Sequence, residues 1–116
     1  KRGRAGVLDT LPFYQACRSR LSDQGLLSVN LLSRNRGYEA SKKRLDEAFE
    51  SRSLVFPCCE SGNTIAFATG GSTVDVSLDE LIQRAKHIHK ISGLNLLPTI
   101  PRLQNSGTLI GDRLKI

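Results

Sequence analysis

The chain has 116 residues, 39% of them hydrophobic and 24% charged, with a formal net charge of +6. That length and balance describe one globular domain with an ordinary core, neither disordered nor membrane-spanning. No apolar run approaches the ~20 residues of a membrane-spanning helix, and the start Lys1-Arg2-Gly3-Arg4 has no apolar region behind it, which excludes a signal peptide there.

Lys1 to Gly6 reads as a basic, glycine-containing arm without periodicity. Asp9 to Leu21 reads as a helix. Asp9 or Thr10 can cap it, Pro12 stands in the first turn where its missing N–H is harmless, and Leu11, Tyr14, Cys17 and Leu21 recur at helical spacing. Gln15, Arg18 and Ser19 make the other side polar, so the helix should lie one-faced on a sheet. Asp23-Gln24-Gly25 then turns the chain into the stretch Gly25–Leu32, of which six residues in eight are apolar or glycine. So short an apolar run, ended by Ser33-Arg34-Asn35-Arg36-Gly37, predicts a central strand buried on most of both faces, as in a parallel α/β sheet. Ligands of open α/β sheets sit beyond the carboxyl ends of the strands. Asn30 and the turn behind it are therefore the first place to look for function.

A second helix is expected from about Gly37 to Glu50, with Tyr38, Leu45, Ala48 and Phe49 on one stripe and Glu39 paired with Lys43 at i, i+4. Ser53–Cys59 reads as a strand whose Pro57 cannot donate to a ladder and so belongs at an edge. Glu60-Ser61-Gly62-Asn63 is a turn and Thr64–Thr69 a third strand, so the two strands should form an antiparallel hairpin. Gly70-Gly71-Ser72 reads as a flexible turn, since the chain has no G-x-G-x-x-G or Walker pattern. Ser77-Leu78-Asp79-Glu80 is a capping box opening a third helix, with Leu78, Leu81, Ile82, Ala85 and Ile88 as its stripe and Ser92-Gly93 as its end. His87 and His89, two apart, point to different helix faces and read as surface residues rather than shared metal ligands. Residues 94–116, with Pro98, Pro101, Gly107 and Gly111, read as an irregular tail with room for a short strand near Thr108–Ile110.

Three cysteines, Cys17, Cys58 and Cys59, have no ligand spacing and read as buried, reduced thiols of a cytoplasmic protein, without a metal. The charge is lopsided: residues 1–44 carry ten Lys/Arg against three Asp/Glu, or +7, whereas residues 45–116 carry seven against eight, or −1. A basic half raises the question of a polyanionic partner. Yet the basic residues are scattered, the aromatics number six, and no zinc-finger or RNA-binding signature is present, which disfavours nucleic acid.

Three local patterns together resemble one family. Leu8–Leu21 (L-D-T-L-P-F-Y-Q-A-C-R-S-R-L), running into Ser22-Asp23-Gln24-Gly25, is similar to a helix in which an aromatic-Tyr pair precedes a basic stretch and a D-G turn. Leu26–Asn30 resembles a strand ending in an amide side chain. Glu60-Ser61-Gly62-Asn63 resembles a P-S-G-Q hairpin turn. These are features of the spermidine-synthase-like polyamine aminopropyltransferases, and the resemblance covers roughly Ala5 to Thr69. It implies an α/β fold: a partial Rossmann-like, methyltransferase-type sheet, made of helix-strand-helix plus an antiparallel hairpin, followed by a C-terminal helix.

The family moves an aminopropyl group from decarboxylated S-adenosylmethionine, its co-substrate, to a polyamine. Its amine-binding D-x-x-D aspartates and glycine-rich cofactor motif are absent from these residues. Gly3 and Ala5 fall in the G-P-A stretch just past the last catalytic aspartate, with Arg4 in place of its proline. The resemblance thus implies a C-terminal half, cut just downstream of the catalytic carboxylates and inactive alone. Two polyamine-binding positions carry over: Asn30 matches the family's amide, and Glu60 stands with Cys59 where the family has Tyr-Pro. The truncation implies an exposed strand edge and hence a homodimer along Leu26–Leu32 or by exchange of elements. A small basic nucleic-acid-binding or interaction module is the alternative from another class, and a related methyltransferase fragment the alternative among enzymes.

Overall fold

The computed structural model describes residues 8–32, 34, 36–59 and 62–116. The basic arm with Gly3, Arg4 and Ala5, and the turn residues Ser33, Asn35, Glu60 and Ser61, lie outside the described residues. The chain divides into two compact units, one ending at Ser72 and the other beginning at Thr73.

In the first unit α1 (Leu11–Arg20) begins where expected. The Thr10 hydroxyl accepts from the Phe13 N–H at 3.2 Å, so Thr10 rather than Asp9 is the cap, and Pro12 stands in the first turn. β1 (Leu27–Leu32), α2 (Tyr38–Ala48), β2 (Ser53–Val55) and β3 (Asn63–Ala68) follow. The sheet order is β1-β3-β2, with β3 antiparallel to both neighbours. The hairpin forces β3 to run against β2, while the crossover through α2 leaves β1 and β2 running the same way with β3 between them.

The sheet is antiparallel rather than parallel, and among the described residues β1 is at its edge rather than its centre. Its burial accordingly alternates. Leu27, Val29 and Leu31 join the core, while Ser28, Asn30 and Leu32 are exposed. One sheet face packs on the two helices: Tyr14, Leu31, Leu45, Ala48, Phe49, Ala66 and Ala68 form the buried cluster. Ala66 and Ala68, both at 0% exposure, are small residues of β3 that let the helices seat closely. The Glu39 carboxylate pairs with Lys42 at i, i+3, 3.4 Å away, rather than with Lys43.

In the second unit β4 (Asp75–Ser77) leads directly into α3 (Leu78–Ser92). The Ser77 hydroxyl accepts from the Glu80 N–H at 3.1 Å, and Gly93 ends the helix in the left-handed conformation at φ 79°. His87 and His89 are exposed. The tail is more regular than expected. It contains α4 (Thr99–Gln104) and β5 (Arg113–Lys115), which pairs antiparallel with β4, Asp75 opposite Lys115. Thr108–Ile110 is not a strand; Ile110 makes only an isolated bridge to Arg113. Among the described residues no helix is long and apolar enough to cross a membrane.

Candidate functional site

The carboxyl end of β1 and the turn of the β2–β3 hairpin meet at one end of the sheet. Asn30 lies opposite Ile65 and Leu32 opposite Asn63, so β1 leaves the sheet beside the hairpin turn. Just beyond, Gly62 adopts φ +86°, and a Cβ built on it would lie 3.1 Å from Cδ of Arg34. The turn after β1 therefore packs against the hairpin through Arg34, and a side chain at position 62 would crowd the Arg34 side chain as well as strain the backbone.

Asn30 is the fourth of six residues in β1, two short of its end, and its side chain is on the exposed face. It offers a neutral amide that can donate and accept, chemistry suited to an amine. Glu60 lies outside the described residues; its neighbours Cys59 and Gly62 close a turn in which the Gly62 N–H donates to the Cys59 carbonyl at 3.0 Å. The structure thus brings the strand of Asn30 and the hairpin of Glu60 to one end, without a placement for Glu60 itself.

The cysteines depart from expectation. Cys58 is exposed and Cys17 and Cys59 are half-buried, so none is a core thiol. Cys58 and Cys59 also lie beyond β2, which stops at Val55. No group of three or more His, Cys, Asp or Glu side chains that could hold a metal is present among the described residues.

Two polar arrangements escape sequence reading. The Asp9 carboxylate gathers three donors, the Tyr14 phenol at 3.0 Å, the Ser41 hydroxyl at 2.6 Å and the Arg44 guanidinium at 3.0 Å. It ties the entry of α1 to α2. Burial first, and then the bond to Asp9, holds the Tyr14 phenol above the ordinary tyrosine range. The only available signal is Ser41 standing on a helix face that otherwise reads as apolar.

The second arrangement lies at the opposite end of the sheet, where an open cleft of about 490 Å³ is lined by Gln15, Arg18, Ser19, Ser22, Asp23 and Gly71, among others. Its charged groups are already committed. Arg18 donates to the Ala48 carbonyl at 3.2 Å and pairs with Glu50 at 3.4 Å, while both Asp23 carboxylate oxygens accept from Ser72. A Cβ on Gly71 would fall 1.9 Å from the Asp23 carbonyl oxygen. Gly70-Gly71 is therefore a close-approach joint rather than a flexible turn.

Comparison with known proteins finds similarity to polyamine aminopropyltransferases. The chain is 32% identical over 92 residues to the polyamine aminopropyltransferases of Neisseria meningitidis serogroup A (strain Z2491) and serogroup B (strain MC58), covering 77% of this chain and 35% of each relative. It is 27% identical over 110 residues to the polyamine aminopropyltransferase of Chromobacterium violaceum, covering 95% of this chain and 42% of that protein. The chain therefore spans 35–42% of the length of these relatives. No family model matches it, and no solved structure does.

Proposed function

We propose that these residues are the C-terminal part of a spermidine-synthase-like aminopropyltransferase and contribute the acceptor side of its site. The observation that carries this reading is the sequence relationship to polyamine aminopropyltransferases over 77% of the chain. The β1-β3-β2 order supports it, since it sets an amide-bearing strand beside the hairpin turn, where the resemblance expects polyamine contacts.

In aminopropyl transfer an amine nitrogen attacks the carbon next to a sulfonium sulfur. The N–C bond forms, the C–S bond breaks with its electron pair going to sulfur, and the amine gives up a proton to a base. Asn30 suits the first need, holding a non-reacting amine of the acceptor by hydrogen bonds so that the attacking one is aligned. Glu60 supplies a carboxylate that attracts a cationic amine at the hairpin. Neither is the base, for these residues contain no D-x-x-D, and no glycine-rich cradle for decarboxylated S-adenosylmethionine is among them. The remaining length of the enzyme supplies both, and the 116 residues alone are inactive.

The test is aminopropyl transfer by the gene product as encoded, with decarboxylated S-adenosylmethionine and a panel of di- and polyamines. Transfer by that product, and none by the 116 residues alone, is the expected result. The charge of +7 over residues 1–44 favours a second reading, a basic binding module. Duplex binding that weakens steeply with salt, with no transfer to any amine, would establish that reading instead.

A further inference from the structure

Cys58 and Cys59 sit where the β2–β3 ladder loses its register. The Phe56 N–H donates to the Ile65 carbonyl at 2.9 Å, in step with the Val55–Ala66 pairing. An unbroken ladder would next bond residue 58 to Asn63. Instead the Cys59 N–H donates to the Asn63 carbonyl at 3.0 Å, so residues 56–59 on one side answer residues 65–63 on the other. One extra residue has been taken in, beside Pro57, which has no N–H to give. This is a bulge.

Along a regular strand, neighbouring side chains point to opposite faces and two adjacent thiols are kept apart. A bulge breaks that alternation, so the rule does not separate Cys58 from Cys59. The Cys58 thiol is exposed and donates to the Cys59 carbonyl at 3.0 Å, which turns its sulfur toward the backbone of Cys59. Cys59 is half-buried, and neither residue is in a disulfide.

We propose that Cys58 and Cys59 form a reversible dithiol oxidation site on the hairpin, closed by thiol–disulfide exchange with a low-molecular-weight disulfide. The more exposed Cys58, as thiolate, attacks one sulfur of that disulfide, forming a mixed disulfide and releasing one small thiol. The Cys59 thiolate then attacks the Cys58 sulfur; the S–S bond between neighbours forms and the second small thiol leaves. Two protein thiols are oxidised, one small disulfide is reduced to two thiols, and the two protons pass to the departing thiolates. Adjacent Cα atoms are about 3.8 Å apart, below the ~4.4 Å that relaxed disulfides span, so the closed ring is strained. Strained, exposed disulfides are the labile ones, and a mild reductant reopens this one.

The experiment is treatment of the native chain with oxidised glutathione, followed by alkylation and intact and peptide mass measurement. The expected result is loss of two of the three titratable thiols, a mass lower by two hydrogens, a bond between Cys58 and Cys59, and Cys17 still alkylated. Dithiothreitol should restore all three. In Cys59→Ser the reaction should stop with one glutathione on Cys58. A stable glutathione adduct on the wild-type chain, a bond involving Cys17 or a second chain, or no oxidation at all would each overturn the proposal.

Discussion

Asp9 illustrates how one carboxylate can organise two helices. It stands just before α1 and is half-buried, with the Tyr14 phenol, the Ser41 hydroxyl and the Arg44 guanidinium all donating to it. Asp9→Ala would leave Tyr14, 2% exposed, with its hydroxyl unpaired, and should cost about 1–3 kcal/mol in urea unfolding. Tyr14 adds a pH dependence. Its phenol is held above the ordinary value of 10.0 in the folded state, so the folded chain binds that proton more tightly than the unfolded chain does. The stability this confers is complete below pH 10.0 and is lost as pH rises from there toward the folded value. Tyr14→Phe should remove that part of the alkaline loss, seen as a flatter fall in unfolding free energy above pH 10.0. Thr64 offers the opposite case. It is 1% exposed, and its hydroxyl is the buried side-chain polar atom without a partner among the described residues. Thr64→Val keeps the shape and removes the orphan, so it should leave stability unchanged or raise it by up to about 1 kcal/mol.

At the scale of elements, the joint between α2 and β2 is made by two successive non-glycine residues in the left-handed region, Glu50 at φ 54° and Ser51 at φ 65°. Asp46 holds it. Its carbonyl accepts from the Ser51 N–H at 2.8 Å and its carboxylate from the Ser51 and Ser53 hydroxyls at 3.3 and 2.9 Å. Glu50→Gly relieves one strained position and gives up only a surface ion pair with Arg18, so it should stabilise by about 1 kcal/mol in thermal or urea unfolding. The starts of α1 and α3 were legible in the sequence because capping is local: Thr10 and Ser77 each act within three residues of themselves. The Glu50–Ser51 joint was not, since glycine is the residue such a turn advertises. Nor was the β4–β5 ribbon, whose strands are three residues each and meet across the whole of α3 and α4. Gly71 was recognised as a turn glycine, but its close approach to Asp23 is a tertiary contact that no local pattern carries.

The largest differences between sequence and structure lie at the scale of the molecule. The stretch Leu27–Leu32 is apolar enough to suggest a strand buried on both faces, and its alternation becomes visible only once β3 lies against one edge. Among the described residues its other edge pairs with no strand, and Leu26 and Leu32 beside it are 53% and 39% exposed. Such an edge invites a partner strand. The 116-residue chain is therefore expected to dimerise along Leu26–Leu32, and the pair Leu26→Lys and Leu32→Lys to give monomer by light scattering. A monodisperse wild-type monomer at high concentration would refute this. Of the two positions proposed to meet polyamine, Asn30 is suggested by its place on an apolar strand, whereas its exposure and its distance from the strand end required the pairing register.

The most direct test of the acceptor-side reading is the amine KM of the encoded gene product, wild type against Asn30→Ala, in the aminopropyl transfer assay. A hydrogen bond to a charged amine is worth about 1.5–3 kcal/mol, so the variant should raise the amine KM by about tenfold or more. The KM for decarboxylated S-adenosylmethionine should stay unchanged. Aminopropyl transfer with an amine KM indifferent to Asn30→Ala would contradict the placement of the acceptor at the end of β1, and the absence of transfer to any amine would contradict the function itself.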